Sequence, residues 1–410
     1  MPGMAVITEK RARNTGLAES QVLSLSYGRV VVKPAEKQRG LVPESYEGYQ
    51  ILEPGDVVIR PTDLQNDQSS IRVGRVHDRG IITSAYVGLR SRSPWTTDYA
   101  YAYLAVIDST KRIYGMGSGL RQQLSWPDLK RMPCLVPPAD EQAAIVKYLA
   151  HANARIDKAI TAKRRLIALV AEEKQAVARD LLTGGSGEIG RVPGHWQSVT
   201  AKRLCRITTG VEDSGNSAPD GAYPFFVRGR EILRSSDYLF DAEAVMTPGD
   251  GQGGVGKVFH YYHGKFQAHQ RVYVFLNFKG VRARYFYWYL STFFRSYGLA
   301  QSNTVTMESL RKPVLASFPV AFPSMREQLR LVEQIEAETS RMQNQVDVAQ
   351  REIALLGEFR ARLVADVVTG QADVRAIAAS LPEIDPDSPM SDLPADGGQL
   401  VEDAMEIGEV

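Results

Sequence analysis

The stretch from Tyr99 to Gly184 recurs 186 residues downstream with no insertion, and this constrains the fold more than any other feature. Tyr99, Tyr101, Tyr103 and Leu104 match Tyr285, Tyr287, Tyr289 and Leu290. Pro127, Leu129, Pro133 and Pro137 match Pro313, Leu315, Pro319 and Pro323, and Glu141-Gln142 matches Glu327-Gln328. Asp180, Thr183 and Gly184 match Asp366, Thr369 and Gly370. Identity held in one register over that length marks a duplication. A chain of 410 residues leaves each copy room for its own core.

Each copy ends in a long proline-free stretch. Val146, Leu149, Asn153, Ile156, Ile160, Lys163, Ile167, Val170, Lys174, Val177 and Leu181 follow one another in alternating steps of three and four. That spacing is the apolar seam of a coiled coil. The second copy reads Val332, Ile335, Thr339, Met342, Val346, Ala349, Ile353, Leu356, Arg360, Leu363 and Val367, and its polar breaks at Thr339 and Arg360 fall where Asn153 and Lys174 fall. Gly184 and Gly370 stand where C-terminal caps are wanted. Each helix would run roughly 60–65 Å, more than a small domain needs. We expect the two to pair as an antiparallel rod; the competing reading is two amphipathic helices in separate cores.

Residues 1–136 and 185–322 differ in character. They are rich in Val, Tyr, Phe and Gly, and "DVVIR", "IITSAYVGL", "KVFHYY" and "RVYVFL" fit short strands. Residues 1–136 hold 18 basic and 13 acidic side chains, and 185–322 hold 16 and 10. The formal net charge of +2 conceals this, because Ser380–Val410 carries nine acids and no Lys or Arg. That tail reads as disordered. A basic body hints at a polyanionic partner. Cys134 and Cys205 form no CxxC pair, which suits a reducing cytoplasm. No run is long and apolar enough to span a membrane.

"TPGDGQGGVGKVFHYYHGKF", Thr247–Phe266, invites a nucleotide reading. A phosphate loop needs a helix after its glycines. Here the following residues read as a strand, a turn at His263-Gly264 and a second strand, and Val258 stands where Ser or Thr would hold magnesium. The glycines are read instead as a turn entering a hairpin. "EPGDVVIRPTDL" followed by "RVGRVHDRGIITSAYVGL" repeats the pattern in the first unit. His260, His263 and His269 do not make a metal site, since His-x-x-His on a strand points its rings to opposite faces. No methyltransferase, nuclease or hydrolase motif is present, so the chain reads as non-catalytic.

Two variable basic units alternate with two repeated helices, opened by "PPADEQAAIVKYL" and "PSMREQLRLVEQI" and closed by "LLTG" and "VVTG". This resembles the specificity subunit of bacterial type I restriction-modification enzymes. "LSLSYGRVV", "DVVIRPTDLQND" and "GIITSAYVGL" also look like that family, and the acidic tail departs from it. The resemblance implies that each variable unit is a target recognition domain reading half of a bipartite, asymmetric DNA site. It implies helices that space the readers and dock two methyltransferase subunits, with restriction subunits joining the complex for phage defence. S-adenosylmethionine, ATP and magnesium would belong to those partners, and this chain would hold no cofactor.

The expected fold is therefore α+β: two β-rich target recognition domains separated by two long helices pairing as an antiparallel coiled coil, with pseudo-two-fold internal duplication. The expected boundaries are 1–136 and 185–322 for the domains, 137–184 and 323–372 for the spacer helices, and 373–410 for the tail. Arg, Lys, Gln and Ser can present donors to base edges. In the first unit the candidates are Arg60, Asp63, Gln65, Arg72, Arg75, Ser84 and Tyr86. In the second they are Arg228, Arg230, Gln252, Lys257, His269, Gln270 and Arg271. The alternative function is a non-catalytic coiled-coil scaffold whose β-rich units bind protein or glycan.

Overall fold

The computed structural model describes residues 1–26, 28–34, 45–62, 64, 71–117, 123–188, 190–250, 256–301 and 310–383. Asp63, Gln65, Gln252 and the tail beyond residue 383 lie outside the described residues. The chain forms two compact units, one of Met1–Arg165 with the described chain from Val348, the other of Leu166–Asp347.

In the first unit β1 (Ile7–Glu9), β5 (Val57–Ile59), β6 (Val73–Arg75) and β8 (Val87–Ser91) make an antiparallel sheet in the order β1-β8-β5-β6. Two smaller ladders pair β2 (Leu23–Ser26) with β3 (Arg29–Val32) and β4 (Gln50–Leu52) with β7 (Gly80–Ile82). Strands were expected here, but the sequence reading omits α1 (Thr97–Ser109), whose N-cap Thr96 accepts from the Tyr99 amide. Its alternating Tyr99, Tyr101 and Tyr103 are all buried, and so are Ala100, Ala102 and Leu104 between them. A helix covered on every side leaves no amphipathic stripe in the sequence. A short α2 (Trp126–Leu129) follows, and then α3 (Ala139–Leu181).

The second unit contains β9 (Gln197–Thr200), α4 (Ala201–Leu204), β10 (Arg206–Thr209), β11 (Tyr223–Phe226), β12 (Ile232–Ser235), β13 (Phe240–Pro248), β14 (His260–Ala268) and β15 (Val272–Leu276). Six of these strands form a sheet in the order β10-β15-β13-β14-β11-β12. The expected turn at His263-Gly264 falls inside β14, because the nine residues of β13 supply a partner along it, with Glu243 opposite His263 and Ala242 opposite Gly264. The true turn lies at 269–271. Then come α5 (Ala283–Ala300), α6 (Lys312–Ser317), β16 (Pro319–Phe322), which pairs with β9, and α7 (Met325–Val368). After α7 the chain returns to the first unit as α8 (Arg375–Ser380), so part of the segment assigned to the tail is ordered.

The repeated residues make repeated bonds. Gln142 is fully buried; its Oε1 accepts from the Thr96 amide at 2.9 Å and its Nε2 donates to the carbonyls of Pro94 and Pro137. Gln328, equally buried, accepts from the Arg282 amide at 2.8 Å and donates to the carbonyls of Gly280 and Pro323. Every partner is shifted by the same 186 residues. The glutamine of each Glu-Gln pair thus joins the start of a long helix to the start of the helix packed before it. The helix ends also correspond. Thr183 and Thr369 hydroxyls donate to the carbonyls of Arg179 and Ala365, and the following glycines adopt φ of +64° and +76°.

Seam positions on both long helices are buried: Leu149, Asn153, Ile156, Ile160, Ile353, Arg360 and Val367 in the first unit, Ile167, Val170, Val332, Ile335 and Thr339 in the second. In the first unit Arg360 Nη2 donates to Asp157 Oδ1 at 2.7 Å, and Lys163 meets Glu352 at 2.5 Å. In the second unit Lys174 Nζ donates to Gln343 Oε1 at 2.7 Å. Asp157 and Gln343 are repeat equivalents, as are Lys174 and Arg360.

Candidate nucleic-acid interface

In the second unit several strand ends meet at one margin of the six-stranded sheet. Thr209 lies opposite Tyr273, Pro248 opposite Val272 and Phe226 beside Ala268. The chain just beyond each strand is tied to the 269–271 turn. The His269 amide donates to the Phe226 carbonyl at 2.9 Å, the Gln270 amide to Glu212 at 2.8 Å, and the Gly249 amide to Arg271 at 2.7 Å. Gly210 permits this approach: a Cβ there would sit 1.8 Å from the Ala268 carbonyl oxygen.

Side chains from four segments converge there. Arg271 Nη1 donates to Asp250 Oδ2, and Arg228 Nη1 stands 3.8 Å from Asp250 Oδ1. Asp213 Oδ2 accepts from Gln270 Nε2 at 3.4 Å and lies 3.7 Å from His269 Nε2. His269 is buried, and its Nδ1 accepts from the Arg271 amide at 3.0 Å. Burial holds its pKa below the usual histidine value, with Arg228 adding to the effect. His269 is therefore a neutral internal brace. The Gly215 amide holds the Asp213 carboxyl below its ordinary range. Arg228, Gln270 and Arg271 remain exposed. What the margin presents is two arginines and an amide on a braced turn, with acidic residues beneath, a set suited to directional donation.

The structure thus joins four of the second-unit candidates: Arg228, His269, Gln270 and Arg271. Arg230 is exposed in the β11–β12 turn, where the Gly229 carbonyl lies 3.1 Å from His260 Nε2. Lys257 is half-buried just before β14.

In the first unit Ile59 lies opposite both Val73 and Val87. Residues 60, 72 and 86 therefore stand side by side at one end of β5, and the Arg60 amide donates to the Arg72 carbonyl. Arg72 itself is fully buried; its Nε donates to Tyr114 Oη at 3.0 Å and its Nη1 to the Thr62 carbonyl. Its guanidinium supports the fold from inside. Ser84 is exposed in the β7–β8 turn and Tyr86 is half-buried. Arg75 stands toward the other end of β6, opposite Val57, with Nη1 2.5 Å from Asp98 on α1.

Sequence reasoning missed the organising carboxylates. Asp250 belongs to "TPGD", which was read for its glycine. The matching Asp56 of "EPGD" is fully buried and accepts from Arg90 Nε at 2.7 Å and Nη2 at 3.1 Å. The shared Pro-Gly-Asp was the available signal. Among the described residues no His, Cys, Asp and Glu cluster could hold a metal ion, and no helix is long and apolar enough to cross a membrane.

Residues 193–345, which include this margin, match the family model of the type I restriction modification DNA specificity domain. That match covers less than half of the chain. The fold is similar to a chain from a study of complex assembly and conformational transition of the type I R-M system, with TM-score 0.60, 13% identity, and 91% of this chain and 97% of that one covered. It is also similar to the S subunit from M. genitalium (TM-score 0.40, 13% identity, 90% and 95% covered) and to the HsdS subunit from Thermoanaerobacter tengcongensis (0.41, 15%, 90% and 96%). At 13% identity the first of these likenesses is one of fold. No curated protein sequence matches the chain.

Proposed function

We propose that the chain recognises a bipartite, asymmetric double-stranded DNA site, one half for each β-rich unit, and that residues 1–136 and 185–322 are its target recognition domains. The observation that carries this is the braced margin of Arg228, Gln270 and Arg271 inside the matched specificity domain. The first-unit counterpart is the strand-end margin of Arg60, Ser84 and Tyr86, and Asp63 and Gln65, shortly after Arg60 in the sequence, are further candidates. Residues 137–184 and 323–372 act as spacer helices paired antiparallel. In the first unit, partner numbers on α7 fall as those on α3 rise, Asp157 with Arg360 and Lys163 with Glu352, and in the second unit Lys174 pairs with Gln343.

The helices also carry exposed apolar side chains at repeated positions, Leu169 on one and Leu355 on the other, with Phe359 one turn on. These suit docking of two methyltransferase subunits, through which restriction subunits join. S-adenosylmethionine, ATP and magnesium are held by those partners in the cytoplasm. The test exchanges residues 185–322 for the matching segment of a relative and maps methylated positions by sequencing. One half of the target should change and the other stay fixed; a change in both halves or in neither refutes the reading.

A further inference from the structure

We propose that Asp250 is a positioning residue that aims Arg271 at the major-groove edge of a guanine in the half-site read by the second unit. The proposal rests on the function proposed above and adds the base class and the residues that select it.

Arg271 sits on a turn whose backbone is fixed residue by residue. The amides of His269, Gln270 and Arg271 donate to the Phe226 carbonyl, the Glu212 carbonyl and His269 Nδ1, and the Arg271 carbonyl accepts from Gly249. The guanidinium is then pinned at Nη1 by Asp250, whose own side chain is only 18% exposed, while the arginine side chain is 60% exposed. A planar guanidinium held at Nη1 keeps its Nε–Nη2 edge for an outside acceptor. Two coplanar donors match guanine N7 and O6, the commonest specific contact in the major groove.

A phosphate contact would not call for this arrangement. Phosphates take positive charge from many directions, and a carboxylate shared between Arg271 and Arg228 removes charge while adding direction. The same charge balance makes the contact selective rather than merely attractive.

The test uses the chain assembled with its methyltransferase partners. Methylome sequencing gives the target, and exchange of residues 185–322 assigns the second-unit half. If that exchange does not alter one half alone, the half-site reading fails before this proposal is reached. Duplexes then carry the mapped site with each guanine of that half replaced in turn by 7-deazaguanine, which lacks the N7 acceptor and keeps its pairing. The wild-type complex should lose about five- to a hundredfold in affinity at one position. Arg271→Ala and Asp250→Asn should bind the two duplexes equally there, and Asp250→Glu should restore part of the difference.

If Asp250→Asn does not assemble, Asp250→Ala decides, because it also removes the carboxylate that pins Nη1 and should likewise erase the difference. A second-unit half without guanine overturns the proposal. So does an Arg271→Ala complex that binds every duplex more weakly with the deazaguanine difference intact, which would make Arg271 a phosphate contact. An Asp250→Asn complex that keeps the wild-type difference overturns the role of Asp250.

Discussion

Replacing Asp157 with alanine should destabilise the first unit, and removing Arg360 as well should restore it. Arg360 is 2% exposed and sits in the helix seam with its Nη2 on Asp157 Oδ1 at 2.7 Å. Its Nε has no hydrogen-bond partner in the structure, so Asp157 is the chief compensation for a buried cation. Breaking a fully buried pair by deleting one partner costs about 3–5 kcal/mol. The Asp157 side chain is 46% exposed, so water can reach the space it leaves, and we expect about 2 kcal/mol. With a urea slope of about 2–3 kcal/mol per molar, the midpoint should fall by about 0.7–1 M.

Arg360→Met acts in the opposite sense. It replaces the cation with an apolar side chain of similar length, a change that is often neutral or stabilising. The double variant should then recover the loss, giving a coupling energy of about 2 kcal/mol in a double-mutant cycle. The assay is urea unfolding followed by tryptophan fluorescence, to which Trp95 and Trp126 report from the first unit. A coupling below about 0.5 kcal/mol, or Arg360→Met as damaging as Asp157→Ala, would show that seam packing rather than ion pairing governs this position.

Gln328→Leu should remove three bonds from a fully buried side chain and cost about 2–4 kcal/mol; Gln142→Leu should match it, and a value near zero for either would refute the joint. Burial pushes the Cys134 thiol up to about 11 and the Cys205 thiol up to about 12, so iodoacetamide at pH 8 should label both only after unfolding; labelling of the native protein would contradict their burial. Burial depresses the folded pKa of His269, so its contribution to stability is complete above the unfolded pKa of about 6.5 and declines as pH falls toward the folded value. His269→Gln should flatten that decline in the unfolding midpoint, and an unchanged slope would refute it.

The long helices were legible because their seam recurs at a spacing only a helix satisfies, and their ends because Thr-Gly closes both. α1 was hidden because Tyr99-Ala-Tyr-Ala-Tyr103 alternates like a strand, and burial of every one of those residues erases helical periodicity. The β14 register was misjudged because His263-Gly264 looks like a turn when β13 is not known to lie beside it. At the candidate interface the sequence supplied the donors. It did not supply the brace, because Asp213 precedes its partner Gln270 by 57 residues and Asp250 precedes Arg271 by 21; pairing across a sheet margin depends on register, which no local pattern encodes.

The first unit is assembled from two distant pieces of chain, and this has a consequence for biosynthesis. Tyr99 Oη donates to the Val368 carbonyl 269 residues later, and Val364, Val367 and Val374 complete the core around α1. At about 5–20 residues per second, ribosomes need roughly 13–54 s to supply that partner. The second unit, contiguous from Leu166 to Asp347, has its whole core available sooner. The amino-terminal half must therefore wait, partly uncovered, while a segment made after it folds first. A nascent chain released before Val368 would keep its second unit and lack closure of its first. Chaperone binding during translation should accordingly concentrate on the portion synthesised earliest.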